Sequence, residues 1–300
     1  MRFKIYLYLS LISFCLLNKT NAIQFTPNDE KLISICKSYD IDVNKYQSHF
    51  DKTYFIKQNY NNFAILTIPK SGTHLLGKLL ALATGRTKSE KYGCWFSPKY
   101  MQNIKEHNDE FILGHDLGFL TVSNIKFITS YRDFRDIIIS WIHDVHWKKT
   151  KNWDIPKKDF QNILTQFLKD FKTKNLNNEY LQDMWFVLKV ANFWQQTFKE
   201  KEKNSNVFFV KFEDIIGEKG GSSASVQQQT IKHLTNFLNI SLSKNQLDYL
   251  CQVLHGKSVT FRKGIIGNWQ DVFTQEHKKL FKELFNDFLV DFGYEKDDKW

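Results

Sequence analysis

Three short segments of this chain combine cations, hydroxyls and glycines in a way suited to holding an anion. The first, Pro69-Lys70-Ser71-Gly72-Thr73-His74, follows the β-prone run Phe63–Ile68 and leads into Leu75, Leu76, Leu79, Leu80 and Leu82 at helical spacing. A strand, turn and helix in that order place unpartnered backbone N–H groups and the positive end of a helix dipole at the turn. With Lys70, Ser71 and Thr73 there, the turn is a preformed cradle for phosphate or sulfate. It is not a Walker A loop, because Lys70 precedes the glycine and GxxxxGK(S/T) is absent. Taken alone, it could also be a βα turn with a surface lysine.

The second segment is Arg132, at the end of the strand-like Lys126–Tyr131, with Ser140 eight residues later on the following helix. A guanidinium and a hydroxyl so placed grip one phosphate from two directions. Asp133 and Asp136 offer Arg132 a plain ion-pairing role instead. The third is Phe261-Arg262-Lys263-Gly264-Ile265-Ile266-Gly267-Asn268-Trp269, where two cations are followed by two glycines that let the backbone approach an anion.

Positioning these segments requires a particular set of elements. Strands are expected at 63–68, 110–113, 126–131 and 207–211, with helices at 134–145, 160–171 and 181–198, and a short helix near 32–39. Strands alternating with helices imply α/β architecture with a mostly parallel sheet covered on both faces, a three-layer α/β/α arrangement. Thr274 caps a last helix whose stripe runs Leu280, Phe281, Leu284, Phe285, Phe288, Leu289 and Phe292, and Gly293 ends it. The Gly- and Ser-rich stretch 217–225 is too short for a domain linker, so 23–300 reads as one domain.

In this order the three segments resemble the sulfotransferases that use 3′-phosphoadenosine 5′-phosphosulfate (PAPS), over about residues 63–292. The resemblance implies a P-loop-like fold and PAPS as donor cosubstrate. It assigns the 5′-phosphosulfate to Lys70, Ser71, Gly72, Thr73 and His74, and the 3′-phosphate to Arg132, Ser140, Arg262, Lys263 and Gly264. Phe212 stands where many members carry a tyrosine beside adenine. The resemblance also implies a catalytic histidine, matched by His115 after Phe111-Ile112-Leu113-Gly114. An attacking alcohol must lose a proton, and an imidazole with a pKa near ~6.5 can take it. Lys70 would stabilise charge growing on the leaving phosphate. His74, Leu75 and Gln270 depart from frequent family residues. Trp147, Trp153, Met184, Trp185 and Phe186 are candidates for an apolar acceptor wall, with core packing as the alternative.

Composition sets the outer limits. The chain has 300 residues, 42% hydrophobic and 25% charged, so a packed globular protein is expected and a disordered one excluded. A formal charge of +10 without an arginine-rich block favours an anionic small ligand over nucleic acid. Arg2 and Lys4 precede an apolar run from Ile5 to Leu17, and Thr20 and Ala22 suit cleavage, so residues 1–22 read as a signal peptide for secretion or export. The run is short for a span, which needs roughly 17–25 residues, and an uncleaved anchor is the alternative. Cys36, Cys94 and Cys251 show no metal or disulfide spacing, and no carboxylate cluster marks a metal site. The resemblance implies a small-molecule or glycan acceptor. A kinase or NTPase, and a noncatalytic nucleotide or carbohydrate binder, are the competing readings.

Overall fold

The strand Phe63-Ala64-Ile65-Leu66, β1, is buried at every residue, as a strand covered on both faces must be. The structure is a computed structural model that describes residues 27–56, 61–89, 109–115, 125–175, 177–256 and 261–300. The expected signal peptide, Cys94 and residues 57–60, 90–108, 116–124, 176 and 257–260 lie outside the described residues. Helices α1 (Asp29–Ser38), α2 (Val43–Gln47) and α3 (Lys52–Ile56) precede β1; α4 (Thr73–Thr84) and β2 (Thr87–Lys88) follow it. Then come β3 (Glu110–Gly114), β4 (Lys126–Tyr131), α5 (Phe134–Thr150), α6 (Lys157–Thr173), α7 (Met184–Lys199) and β5 (Val207–Lys211). The chain ends with α8 (Phe212–Ile215), α9 (Ala224–Phe237), α10 (Lys244–Leu254), α11 (Trp269–Val272) and α12 (Gln275–Asp291).

The five strands pair in parallel in the order β2-β3-β1-β4-β5. Register sets Ile65 opposite Leu113 on one side and Ile128 on the other. Because side chains alternate along a strand, Ala64, Leu66, Ile112 and Phe127 pack with α5, α6, α7 and α12. Ile65, Phe111, Leu113 and Ile128 point the other way, into a core with α1, α4, α9 and α10. These are the three expected layers.

Some bounds differ from expectation. The helix expected from Leu181 is interrupted: Glu179–Leu181 is a single 3-10 turn, and Asp183 takes a left-handed φ of 62° before α7 begins. The last helix is capped as expected, with Thr274 and His277 forming a reciprocal capping box. Cys36 and Cys251 are free thiols, and burial pushes both up to about 11. No helix among the described residues is long and apolar enough to cross a membrane.

Candidate functional site

From β1 the chain runs toward β3 and β2, whereas from β4 it runs outward to β5, so the sheet has a switch point between β1 and β4. Crevices at such points, beyond the carboxyl ends of parallel strands, are natural ligand sites. Lys70 follows β1, His115 follows β3, Arg132 follows β4 and Phe212 follows β5. All four line one cavity of about 310 Å³. Gly72, Thr73, His74, Ser140, Arg262, Lys263 and Gly264 line it as well.

The first loop is bent by two residues with positive φ, Lys70 at 68° and Gly72 at 110°. At Gly72 a Cβ would lie 2.8 Å from a ring carbon of Phe212, so the ring packs directly on the loop backbone. Thr73 opens α4, and its hydroxyl meets that of Thr67 at 2.5 Å. Ser71 is not brought to the cavity. Its hydroxyl is fully buried against the Ile68 carbonyl at 2.6 Å and the Ser130 hydroxyl at 2.8 Å, and its N–H also goes to Ile68. It ties the loop to β4.

Lys70 Nζ sits 2.5 Å from Asp144, which Lys148 reaches at 3.0 Å. Burial pulls the Lys70 ammonium below the usual lysine range and Asp144 opposes it. Burial would raise Asp144, but Lys70 and Lys148 prevail and hold it below the usual carboxylate range. His115 donates from Nδ1 to the Thr67 carbonyl at 2.7 Å, since a carbonyl can only accept, and Nε2 is left as the basic atom. Burial lowers this imidazole to about 4, the Thr67 bond opposing and Lys70 assisting. Burial and the charges of Lys70, Lys88 and His115 lower His74 to about 4.

At the other end, Arg132 donates to the Ile265 carbonyl at 2.9 Å, approaches Asp136 at 3.4 Å, and lies 4.3 Å from the Phe212 ring centroid. Asp136 accepts from the N–H groups of Gly267 and Trp269 at 2.9 and 3.0 Å, pinning the Arg262–Gly264 loop to α5. Burial, then the adjacent Arg132, pull Arg262 down to about 10. Two guanidiniums so close are an excess of charge that an anion would relieve. Arg132 Nε is buried with no hydrogen-bond partner among the described residues, an orphan donor in the same place.

Of the acceptor-wall candidates, only Phe186 lines the cavity. Trp147 and Trp153 stack on each other, Met184 is core, and Trp185 is exposed on Phe171. Trp141, Asp144 and Lys78 line it unanticipated. The signal was spacing: Asp144 lies one turn after Ser140, and Lys78 one turn after His74. No three His, Cys, Asp or Glu side chains gather as a metal ligand set among the described residues.

A sulfotransferase domain family model matches residues 117–293, a stretch that includes Arg132, Ser140, Phe212 and Arg262–Gly264 and begins after Lys70 and His115. Human sulfotransferase 4A1 is 22% identical over 245 residues, 74% of this chain and 78% of that protein. Rabbit amine sulfotransferase is 21% identical over 267 residues, 76% and 80%. The crystal structure of mouse sulfotransferase SULT7A1 complexed with PAP aligns at 16% identity and TM-score 0.47, over 76% of this chain and 84% of that one. With more than half of its length matched, the chain belongs to the sulfotransferase-domain family, the PAPS-using family that its three cation- and glycine-bearing segments resemble.

Proposed function

We propose that the cavity takes PAPS and that this chain moves the sulfuryl group to a hydroxyl or amine of a small-molecule or glycan acceptor. One observation carries the reading. Arg132 reaches the backbone of the Arg262–Gly264 loop at 2.9 Å through Ile265, and the cavity they share also holds Lys70 and His115. PAPS, when bound, supplies a sulfuryl group on a phosphate that can leave. Arg132, Ser140, Arg262, Lys263 and Gly264 hold its 3′-phosphate, a role suited to the orphan Arg132 Nε and the crowded guanidiniums. Lys70, Gly72, Thr73 and His74 hold the 5′ end at the start of α4.

Each side chain then has a distinct task. Lys70 exchanges Asp144 for the charge that develops on the departing oxygen. Asp144 keeps Lys148, so no buried carboxylate is left unpaired. As the acceptor's bond to sulfur forms and the sulfur–phosphate oxygen bond breaks, the acceptor proton passes to His115 Nε2. A pKa of about 4 keeps that imidazole neutral, and so able to accept, at neutral pH. Leu75, Ile139, Trp141 and Phe186 give the cavity apolar walls that favour acceptors with an apolar body.

Calorimetric titration tests the donor. Adenosine 3′,5′-bisphosphate is expected to bind without metal and more tightly than ATP; a stronger, Mg²⁺-dependent ATP affinity would point to a kinase and overturn the reading. Transfer of labelled sulfate from PAPS across an acceptor panel separates an enzyme from a noncatalytic binder. We propose further that 23–300 is a single domain exported after loss of residues 1–22. Sequencing from Ile23 in exported protein supports this, and an intact Met1 in the cytosol overturns it.

A further inference from the structure

Lys78 is a lysine that the proposed chemistry leaves unused. Its side chain is 2% exposed, it lines the cavity, and no hydrogen bond or ion pair engages its ammonium among the described residues. Tyr39 presents its ring at 5.8 Å, too far for more than a weak attraction. Burial lowers the ammonium to about 8, with Asp40 the opposing charge. A largely buried cation that no hydrogen bond holds is unfavourable, and it persists where an acceptor arrives with the ligand.

Its neighbours indicate which part of a ligand it meets. Lys78 lies three residues after Leu75, on the same face of α4, and shares the cavity wall with Phe212, Ile216 and Gly256. The phosphate-suited cations, Arg132, Arg262 and Lys263, come instead from the end of β4 and the C-terminal loop. A stretch of wall that sets apolar Leu75, Phe212 and Ile216 with a lysine donor, His255 close enough to feel its charge, suits a flat heterocycle with acceptor atoms on its edge, not a second phosphate.

We propose that Lys78 reads the nucleobase, its ammonium donating to an acceptor atom on the edge of the base that rests between α4 and the Phe212–Ile216 turn. The inference rests on the nucleotide reading above and names a base contact that reading lacks. A hydrogen bond from a charged donor corresponds to roughly tenfold to a hundredfold in affinity.

The test is calorimetry on the full chain and on Lys78→Met, which keeps an unbranched side chain and removes the buried charge, with three probes. Adenosine 3′,5′-bisphosphate and adenosine 5′-phosphate are expected to bind about tenfold to a hundredfold more weakly to the variant. Ribose 5-phosphate, which has no base, is expected to bind both proteins alike. Lys78→Gln, which retains a donor, should recover part of the loss and covers the case in which the methionine variant folds poorly. Equal losses for all three probes would mean that Lys78 acts only through its charge, and unchanged nucleotide affinity would mean no contact; either overturns the proposal and leaves the donor reading standing. Failure of the unaltered chain to bind either nucleotide overturns both.

Discussion

In the proposed reaction His115 and Lys70 have different tasks, and their partners differ accordingly. The Thr67 carbonyl fixes the proton of His115 on Nδ1 at 2.7 Å, so the ring is oriented before any substrate arrives. His115→Ala is therefore expected to lower kcat by about 10²–10⁴-fold while leaving the affinity for adenosine 3′,5′-bisphosphate nearly unchanged. Lost affinity in titration would mean that the ring holds the donor instead. Lys70→Met removes charge only where it develops, and a loss in kcat of about 10²–10³-fold is expected in single-turnover assays. Lys70 stands in a motif whose residue types and spacing can be read from the sequence, whereas His115 was reached only through the family resemblance; the structure puts both on the wall of one cavity. Ser71 belongs to the same motif, yet a serine in a turn does not announce which way its hydroxyl points, and here it bonds to Ser130. Asp144 and Lys78 carried no motif at all. Their one-turn offsets from Ser140 and His74 acquire meaning only once it is known which face of α5 and of α4 borders the cavity.

At the scale of elements, the site depends on a loop and a ring that occupy each other's space. Gly72 has a φ of 110° and no room for a Cβ, since Phe212 Cδ2 would lie 2.8 Å away. Gly72→Ala is expected to destabilise the fold by about 1–3 kcal/mol in urea unfolding, because alanine at that φ is strained and the ring must move. Weakened bisphosphate binding should accompany it. Wild-type stability would mean that the loop relaxes freely. Asp136 plays the comparable part for the C-terminal loop, receiving N–H groups from Gly267 and Trp269 and approaching Arg132. Strand bounds were read well where apolar β-branched and aromatic runs are self-contained, as in β4 and β5. The two-residue β2 is too short to leave a periodic signal. The break at Asp183 escaped because apolar spacing persists across it, while the backbone turns left-handed for one residue.

For the whole molecule, bringing Lys70 and Arg132 from strand ends and Arg262 and Lys263 from the C-terminal loop to one crevice means that imidazoles are buried beside positive charge. Burial is the leading cause at His74, His115 and His143, each lowered from 6.5 to about 4, with Lys70 adding to the first two and Arg262 to the third. Burial also lowers His255 and His277. An unfolded chain regains ordinary histidines, so between about pH 6.5 and 4 it binds more protons than the folded one. Stability must then rise with pH through that window and is lost as pH falls toward the folded values. Asp136 and Glu213, whose carboxyls burial raises, oppose this, but two such groups stand against five imidazoles. Calorimetric scans should give a Tm about 5–10 °C lower at pH 5 than at pH 7, a net loss of a few kcal/mol. Saturating adenosine 3′,5′-bisphosphate should lessen that fall, because its phosphates make protonation beside them less costly and ligand binding favours the folded state. A Tm indifferent to pH across this window would mean that the histidines titrate as they do in water, and that the cavity is neither as dry nor as positive as its geometry requires.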